Sequence, residues 1–451
     1  MIAALRQWWQ SFDVYADPRV RAMLFLGFSS GLPFALVLTT LSARLRQAGI
    51  DRTTIGYFSL VGLAYSLKYF WSPIVDRLPL PGLARLGRRR SWMLLAQVCI
   101  VTGLMAMAFA DPGVDARQVA MLAVFTAFAS ATQDIAVDAY RIEAAQIDTQ
   151  GAMAAAYQTG YQLALICTGA GALTLAAELG WKVSYAIMAV CALVGLVTTL
   201  VIAEPEVGRT AAVRPPEPLV DRFEHWAAGW PRPFRTLVSW CIGAVVCPFV
   251  DFFIRMGWKT ALPILALVVT YRLNYTTMGV AANTFYLDIG FTLEQIALVS
   301  KVYGILMTIA GAFLAGVLIR RYGVPRTLLA GLVLLSCANL VYAHIASIHP
   351  GIAWLATAVS ADNVANGIAG TAFIAFMSSL TSPNYTATQY ALFGTLWSLP
   401  AKSIASQWGK IVDAWGYPPF FIYTAAIGSL ALPLVLWLIW RERRGARPPA
   451  T

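Results

Sequence analysis

Residues 204–235 read EPEVGRTAAVRPPEPLVDRFEHWAAGWPRPFR. Prolines at 205, 215, 216, 218, 231 and 233 lie among arginines and acids, a composition that interrupts helices and marks a linker. Its flanks make the passage decisive. Before it, six apolar runs bounded by charge or by Pro/Gly cover roughly 20–43, 53–75, 91–110, 117–140, 152–177 and 182–203. After it, six more cover roughly 260–286, 294–319, 326–347, 351–380, 386–413 and 419–440. A helix needs about 20 apolar residues to cross a bilayer's hydrocarbon core, and each run is long enough. The expected fold is an all-α membrane protein with twelve transmembrane helices in two six-helix lobes. Residues 1–204 form the first lobe, 205–259 a cytoplasmic linker, and 260–451 the second lobe with a basic tail.

Composition demands the same class. The chain has 451 residues, 59% of them hydrophobic and 12% charged, with a mean hydropathy of +0.65. Soluble domains carry about 25% charged residues, so a disordered tail, a disulfide scaffold and a cytosolic enzyme are excluded. Cysteines 99, 167, 191, 241, 247 and 337 sit singly in apolar stretches, and His225, His344 and His349 have no metal-ligand or nucleophile spacing. No metal site, disulfide or cofactor is expected. No G-x-x-x-x-G-K-[ST] phosphate loop occurs either, so energy should come from an ion gradient or from the substrate's own gradient, not from ATP. Residues 1–20 carry charge and proline without the apolar core of a signal peptide.

A net charge of +11 could suggest nucleic acid, but its distribution along the chain gives a better account. If the N-terminus lies inside, 23 of the 33 Lys and Arg fall on the inner side, from Arg6, Arg19 and Arg21 through Arg209 and Arg214 to Arg447. Only Arg44, Arg46, Arg52, Arg117 and Lys182 fall outside. By the positive-inside bias both termini are cytoplasmic, and no nucleic-acid partner is expected. Thr236–Val250 is apolar but short, and a crossing there would invert the second half. It is expected to lie at the inner interface or to dip in and return; the rival is an additional span.

Ionisable groups at membrane depth cost about 2.5–3.5 kcal/mol each to insert and are functional candidates by default. The fourth run ends Ser130-Ala131-Thr132-Gln133-Asp134-Ile135-Ala136-Val137-Asp138-Ala139-Tyr140-Arg141. Asp134 and Asp138 are one turn apart on one face, and Arg141 continues it. Two carboxylates so placed in low dielectric do not both ionise easily, a property suited to proton coupling. Asp138, near the cytoplasmic end, can instead pair with Arg77 or Arg141 as a latch. Asp134 lies deeper, beside Gln133, and is the better candidate for coupling or substrate contact. The deep cations are Lys68, between Tyr65 and Tyr69, then Arg272 beside Tyr271, Lys301 and Lys402; Lys410 is expected at the interface. Buried cations imply an anionic ligand or pairing with the few deep acids, Asp134, Asp362 and Asp413. Asp362-Asn363 and Asn366 mark a polar tenth helix that lines a cavity. In the first run, Gly27 and Gly31 permit close helix approach.

Asp76-Arg77 followed by Gly87-Arg88-Arg89-Arg90 resembles the loop signature of the major facilitator superfamily. Ser72 replaces its first glycine, and the two halves are pulled apart. The resemblance implies a latch at the helix ends formed by Asp76 and Arg77, with Arg88, Arg89 and Arg141 nearby. Further stretches occur in order: Gly27-Phe28-Ser29-Ser30-Gly31-Leu32-Pro33, Ile55 to Gly62, Trp71-Ser72-Pro73, Gln133-Asp134, Tyr271-Arg272-Leu273, Gly370 to Phe373 and Ala387 to Leu392. Together, over about residues 20–440, they are similar to AmpG-type muropeptide permeases, a branch that also includes acetyl-CoA transporters.

Membership implies proton-coupled import of N-acetylglucosaminyl-1,6-anhydro-N-acetylmuramic acid, with or without peptide, across a bacterial inner membrane. The implied roles are peptidoglycan recycling and, in some bacteria, β-lactamase induction. Asp134 and Asp138 are then the coupling candidates. Gln133, Lys68, Tyr65, Tyr69, Arg272, Tyr271, Asp362, Asn363 and Lys402 are the substrate candidates. Asn274, where relatives can carry an acid, and the chain's end at Thr451 leave room for a different anionic conjugate, such as an acyl-CoA or a siderophore. A membrane-embedded enzyme is disfavoured, because no nucleophile–base pair or metal spacing occurs. The partners expected are a small glycopeptide and the lipid bilayer, with the protein a monomer.

Overall fold

The computed structural model describes residues 13–145, 149–205, 217–348 and 351–445. Expectations resting on Arg6, Arg209, Arg214, Arg447, His349, or the side chains of Arg52 and Lys301 fall outside the described residues. Every regular element among those residues is helical.

Among the described residues, nine helices are long and apolar enough to cross a membrane, including Pro18–Gln47, Arg88–Phe109, Ala116–Ala144, Val324–Ile345 and Ile352–Leu380. The run Gln150–Val201 is counted once there but is two spans, since Gly180 breaks it at φ 83. Only glycine adopts that backbone without strain. Three further spans, 52–77, 258–288 and 386–415, are interrupted. With these, and with the linker helix Arg232–Met256 set aside, the described residues form twelve spans. They start and end alternately at two faces, called below the linker end and the opposite end.

The interruptions fall where side chains gather. The second span passes through short 3-10 turns at Ser59–Gly62 and Lys68–Phe70 before Pro73 restarts it. The seventh breaks at Tyr271 and Arg272, where Arg272 adopts φ −102, ψ 5. Irregular backbone at membrane depth is tolerated where it is buried in protein or lines a cavity.

Small residues let the helices approach within a lobe. A Cβ on Gly27 would collide with the Tyr157 carbonyl, and one on Gly160 with that of Leu24, so the first and fifth spans cross almost backbone to backbone. Between lobes, the fifth span packs on the eighth and tenth, and the eleventh on the second and fourth. At the linker end this brings Gly151 against Ile319.

Two helices stand among the described residues of the linker. Pro218–Trp226 is short. Arg232–Met256 is continuous and 25 residues long, enough by length and composition to cross. Its contacts show how it runs. The Gly243 carbonyl accepts from Arg77, at the end of the second span. About 18 Å further along the helix at 1.5 Å per residue, Arg255 donates to the Leu380 carbonyl (3.0 Å), at the end of the tenth. Both spans finish at the linker end, so this helix runs across it.

Candidate functional site

The fourth span sets its acids against the broken second span. Lys68 Nζ lies 3.3 Å from Asp138 Oδ2, and Arg141 Nη2 lies 3.3 Å from Asp138 Oδ1. Asp138 is thus shared between two cations. One turn deeper, Asp134 has Lys68, Asp138 and Ser30 as its electrostatic neighbours. Its Oδ1 is buried with no protein hydrogen-bond partner, as are the Tyr65 and Tyr69 hydroxyls and Ser130 Oγ. Gln133 does not join them. It accepts from Ser29 Oγ (3.1 Å) and its amide stands 3.4 Å from Ser30 Oγ, tying the fourth span to the first.

The second lobe answers with a cluster around the seventh-span break. Arg272 stacks over the Tyr275 ring at 4.4 Å, and its Nη1 is buried without a partner. A Cβ on Gly370 would stand 3.3 Å from that atom, so the glycine makes room for the guanidinium. Asp362 Oδ1, Asn366 Oδ1, Thr277 Oγ1 and Thr371 Oγ1 are also buried and unpartnered. Native structures rarely leave such atoms unmatched; among the described residues most of them lie on spans two, four, seven and ten, the others on Arg88, Gln97, Thr199, Ser239 and Asn339. A path for a polar, charged ligand between the lobes explains that clustering.

Three sequence candidates, Tyr271, Asn363 and Asp413, stand elsewhere, and Lys402 joins the second span from the opposite lobe. Tyr271 is fully buried in the second lobe's core, stacked on Phe373 at 5.1 Å and donating to the Leu328 carbonyl (2.9 Å). Asn363 accepts from Thr308 (2.8 Å) and donates to the Val359 carbonyl (2.8 Å), joining the eighth and tenth spans. Lys402 is exposed and reaches across the lobes to Ser66 Oγ (2.7 Å), two residues from Lys68. Asp413 is exposed too, because the eleventh span is interrupted before it.

The linker end is latched, with partners other than the sequence suggested. Asp76 and Arg77 do not pair with each other. Asp76 lies 2.7 Å from Arg89 Nη2, and Arg89, fully buried, also holds Glu143 at 2.5 Å; Arg88 adds a 3.6 Å contact to Glu143. Asp76 crosses the lobes as well. Its Oδ2 accepts from Thr388 N (3.0 Å) and Thr388 Oγ1 (2.9 Å), capping the eleventh span where its unpaired amides favour a carboxylate. Arg77 pairs instead with Glu217 of the linker (2.5 Å), which also accepts from the Tyr385 hydroxyl (3.0 Å). Burial and the Glu217 carboxylate push the Tyr385 phenol above its ordinary pKa, which keeps the donor protonated. Arg141 donates to Ser378 (2.7 Å) and lies over the Tyr390 ring.

The described hydrogen bonds that cross between lobes lie between the linker end and the level of Ser66. At the opposite end, Arg44 holds the Met107 and Ala110 carbonyls, Trp181 holds Gln47, and Tyr286 bonds Tyr342, each within one lobe. The lobes are therefore clasped at the linker end. Glu143, Glu204 and Glu217 were missed in the sequence, although the run Arg88–Arg90 needed acids nearby. Their distance along the chain hid them.

The sequence model of the Major Facilitator Superfamily matches residues 23–402. The chain belongs to this superfamily. Within it, the chain is 34% identical to the anhydromuropeptide permease of Escherichia coli K12, covering 96% of this chain and 82% of that protein. It is 32% identical to the putative transporter AmpG 4 of Rickettsia felis, covering 94% and 97%. These similarities place it in the AmpG branch, as a multi-pass membrane transporter and not an enzyme. Among solved structures, the human organic anion transporter MFSD10 (TETRAN) matches with a TM-score of 0.67 at 16% identity, over 93% of this chain and 100% of that one. The proton:xylose symporter XylE gives 0.64 at 11%, over 96% and 95%. At such identities the likeness concerns the fold alone.

Proposed function

We propose that the protein is a proton-coupled symporter carrying anhydromuropeptides from periplasm to cytoplasm for cell-wall recycling. It would sit in a bacterial inner membrane with both termini and the linker cytoplasmic. The structure is then the state open toward the periplasm. The observation that carries this reading is the set of unpartnered buried polar atoms on facing spans, with Asp134 in one lobe and Arg272 in the other. The E. coli relative's name supports the substrate class.

The geometry suggests a relay. Lys68 stands between Asp134 and Asp138, and Asp138 in turn steadies Arg141, which reaches Ser378 in the other lobe. When Asp134 takes a proton, it no longer competes for Lys68, which commits to Asp138. Asp138 then holds Arg141 less tightly, and the cross-lobe contact weakens. Arg272 receives a carboxylate of the sugar or peptide, while Tyr65, Tyr69 and Tyr275 offer ring faces to the saccharide. The lobes rock, and Asp134 releases its proton inside, where Lys68 returns to it.

Counterflow of labelled N-acetylglucosaminyl-1,6-anhydro-N-acetylmuramic acid in proteoliposomes, with and without an inward proton gradient, tests this reading. Exchange without the gradient and accumulation with it are expected. No exchange, together with uptake of an acyl-CoA or siderophore, would overturn the substrate assignment.

A further inference from the structure

One groove lies apart from the path between the lobes. It opens on the outer wall of the first lobe at the linker end, between the first, fourth and sixth spans, and encloses about 1300 Å³. Its polarity is graded along its length. Arg19 and Arg21 stand at its mouth, at the beginning of the first span. Phe25, one turn deeper, and Val190, Val197 and Val201 of the sixth span form its wall. These four side chains are 49%, 59%, 57% and 79% exposed. Val190 and Val201 are about 16 Å apart along the helix at 1.5 Å per residue, so the wall runs from the linker end well into the membrane.

The charge at the mouth is positive once partners are assigned. Glu143 also lines the groove, but Arg89 and Arg88 hold it. Glu204 lines it too, and it accepts from the backbone amides of Arg89 (2.8 Å) and Arg90 (3.1 Å) at the start of the third span. Arg19 keeps one weak tether, to the Ala144 carbonyl at 3.3 Å, and the Arg21 side chain is exposed. Two guanidinium groups thus head a deep apolar trough on a surface that faces lipid.

We infer that this groove is a binding site for one anionic phospholipid of the linker-side leaflet. Its phosphate rests on Arg19 and Arg21, and its acyl chains lie along Phe25 and the valines. A muropeptide does not suit the site, because the wall would leave its hydroxyls and amides without partners. The lipid would join the first span to the end of the sixth, just before Glu204 and the linker. The site is separate from the substrate path and does not rest on the proposed substrate.

The test uses full-length protein in phosphatidylcholine nanodiscs containing graded phosphatidylglycerol, with retained lipid counted by native mass spectrometry. Wild type should retain one phosphatidylglycerol in preference to phosphatidylcholine. The double variant Arg19→Ala/Arg21→Ala should bind it about thirtyfold more weakly, the scale expected for two surface cations. Arg19→Lys/Arg21→Lys should keep most of the affinity, and Arg441→Ala, on the twelfth span, all of it. Thermal unfolding in lipid-free detergent should be unchanged in each, which separates lost binding from lost folding. Equal retention of both lipids by wild type, or unchanged retention in the double alanine variant, would overturn the inference.

Discussion

Glu217 lies 2.5 Å from Arg77, and together with the Arg77 bond to the Gly243 carbonyl this contact ties the linker to the end of the second span. The same carboxylate accepts from Tyr385, at the foot of the eleventh span. The clasp at the linker end is therefore made by three bodies, two lobes and the strap between them. Glu217→Gln keeps the size but removes the charge that Arg77 faces. A hydrogen bond to a charged group contributes about 1.5–3 kcal/mol, so the balance should shift at least tenfold toward a linker-end-open state. Thiol labelling of Ser378→Cys should accelerate in the Glu217→Gln background.

Asp76 bridges differently, between buried Arg89 and the N-terminus of the eleventh span. Asp76→Ala strands Arg89 beside Glu143 alone and uncaps Thr388. Breaking a buried pair costs about 3–5 kcal/mol, so thermal unfolding should fall clearly. Asp76→Asn can still accept from Thr388 and should lose less.

Gly160 faces the Leu24 carbonyl so closely that a methyl group has no room. Backbone cannot yield there as a flexible side chain could. Gly160→Ala should cut the yield of folded protein, read by size-exclusion chromatography, whereas Gly169→Ala, with open space around it, should not.

Much of the fold was legible because lipid forces long apolar runs and the linker interrupts them. The broken spans were harder to read. The second and seventh look continuous in composition, and only the packed structure shows that they unwind at Lys68 and at Tyr271–Arg272. The helix Arg232–Met256 has the composition of a span; its partners Arg77 and Leu380, distant in sequence, reveal its course. In the site, the spacing of Asp134, Asp138 and Arg141 could be read from helix period alone. Which face of a helix meets the cavity could not, and so Tyr271 and Gln133 were grouped with Arg272 and Asp134 although both serve packing.

Arg272 is the cation best placed to meet a substrate carboxylate, stacked on Tyr275 with Nη1 free. Arg272→Ala should raise the KM for uptake roughly tenfold to a hundredfold, the scale of a lost charge-assisted contact. Arg272→Lys should restore part of the loss, since it keeps the charge but not the planar fork. Transport kinetics in vesicles give both values.

In the proposed cycle Asp134 carries the coupling proton, and Asp134→Asn removes the group that would bind it. The variant should be reconstituted and given labelled anhydromuropeptide, first in exchange without a gradient and then under an inward proton gradient. Exchange that persists while accumulation against the substrate gradient is lost is the predicted result. Accumulation at the wild-type level by Asp134→Asn would show that the proton binds elsewhere.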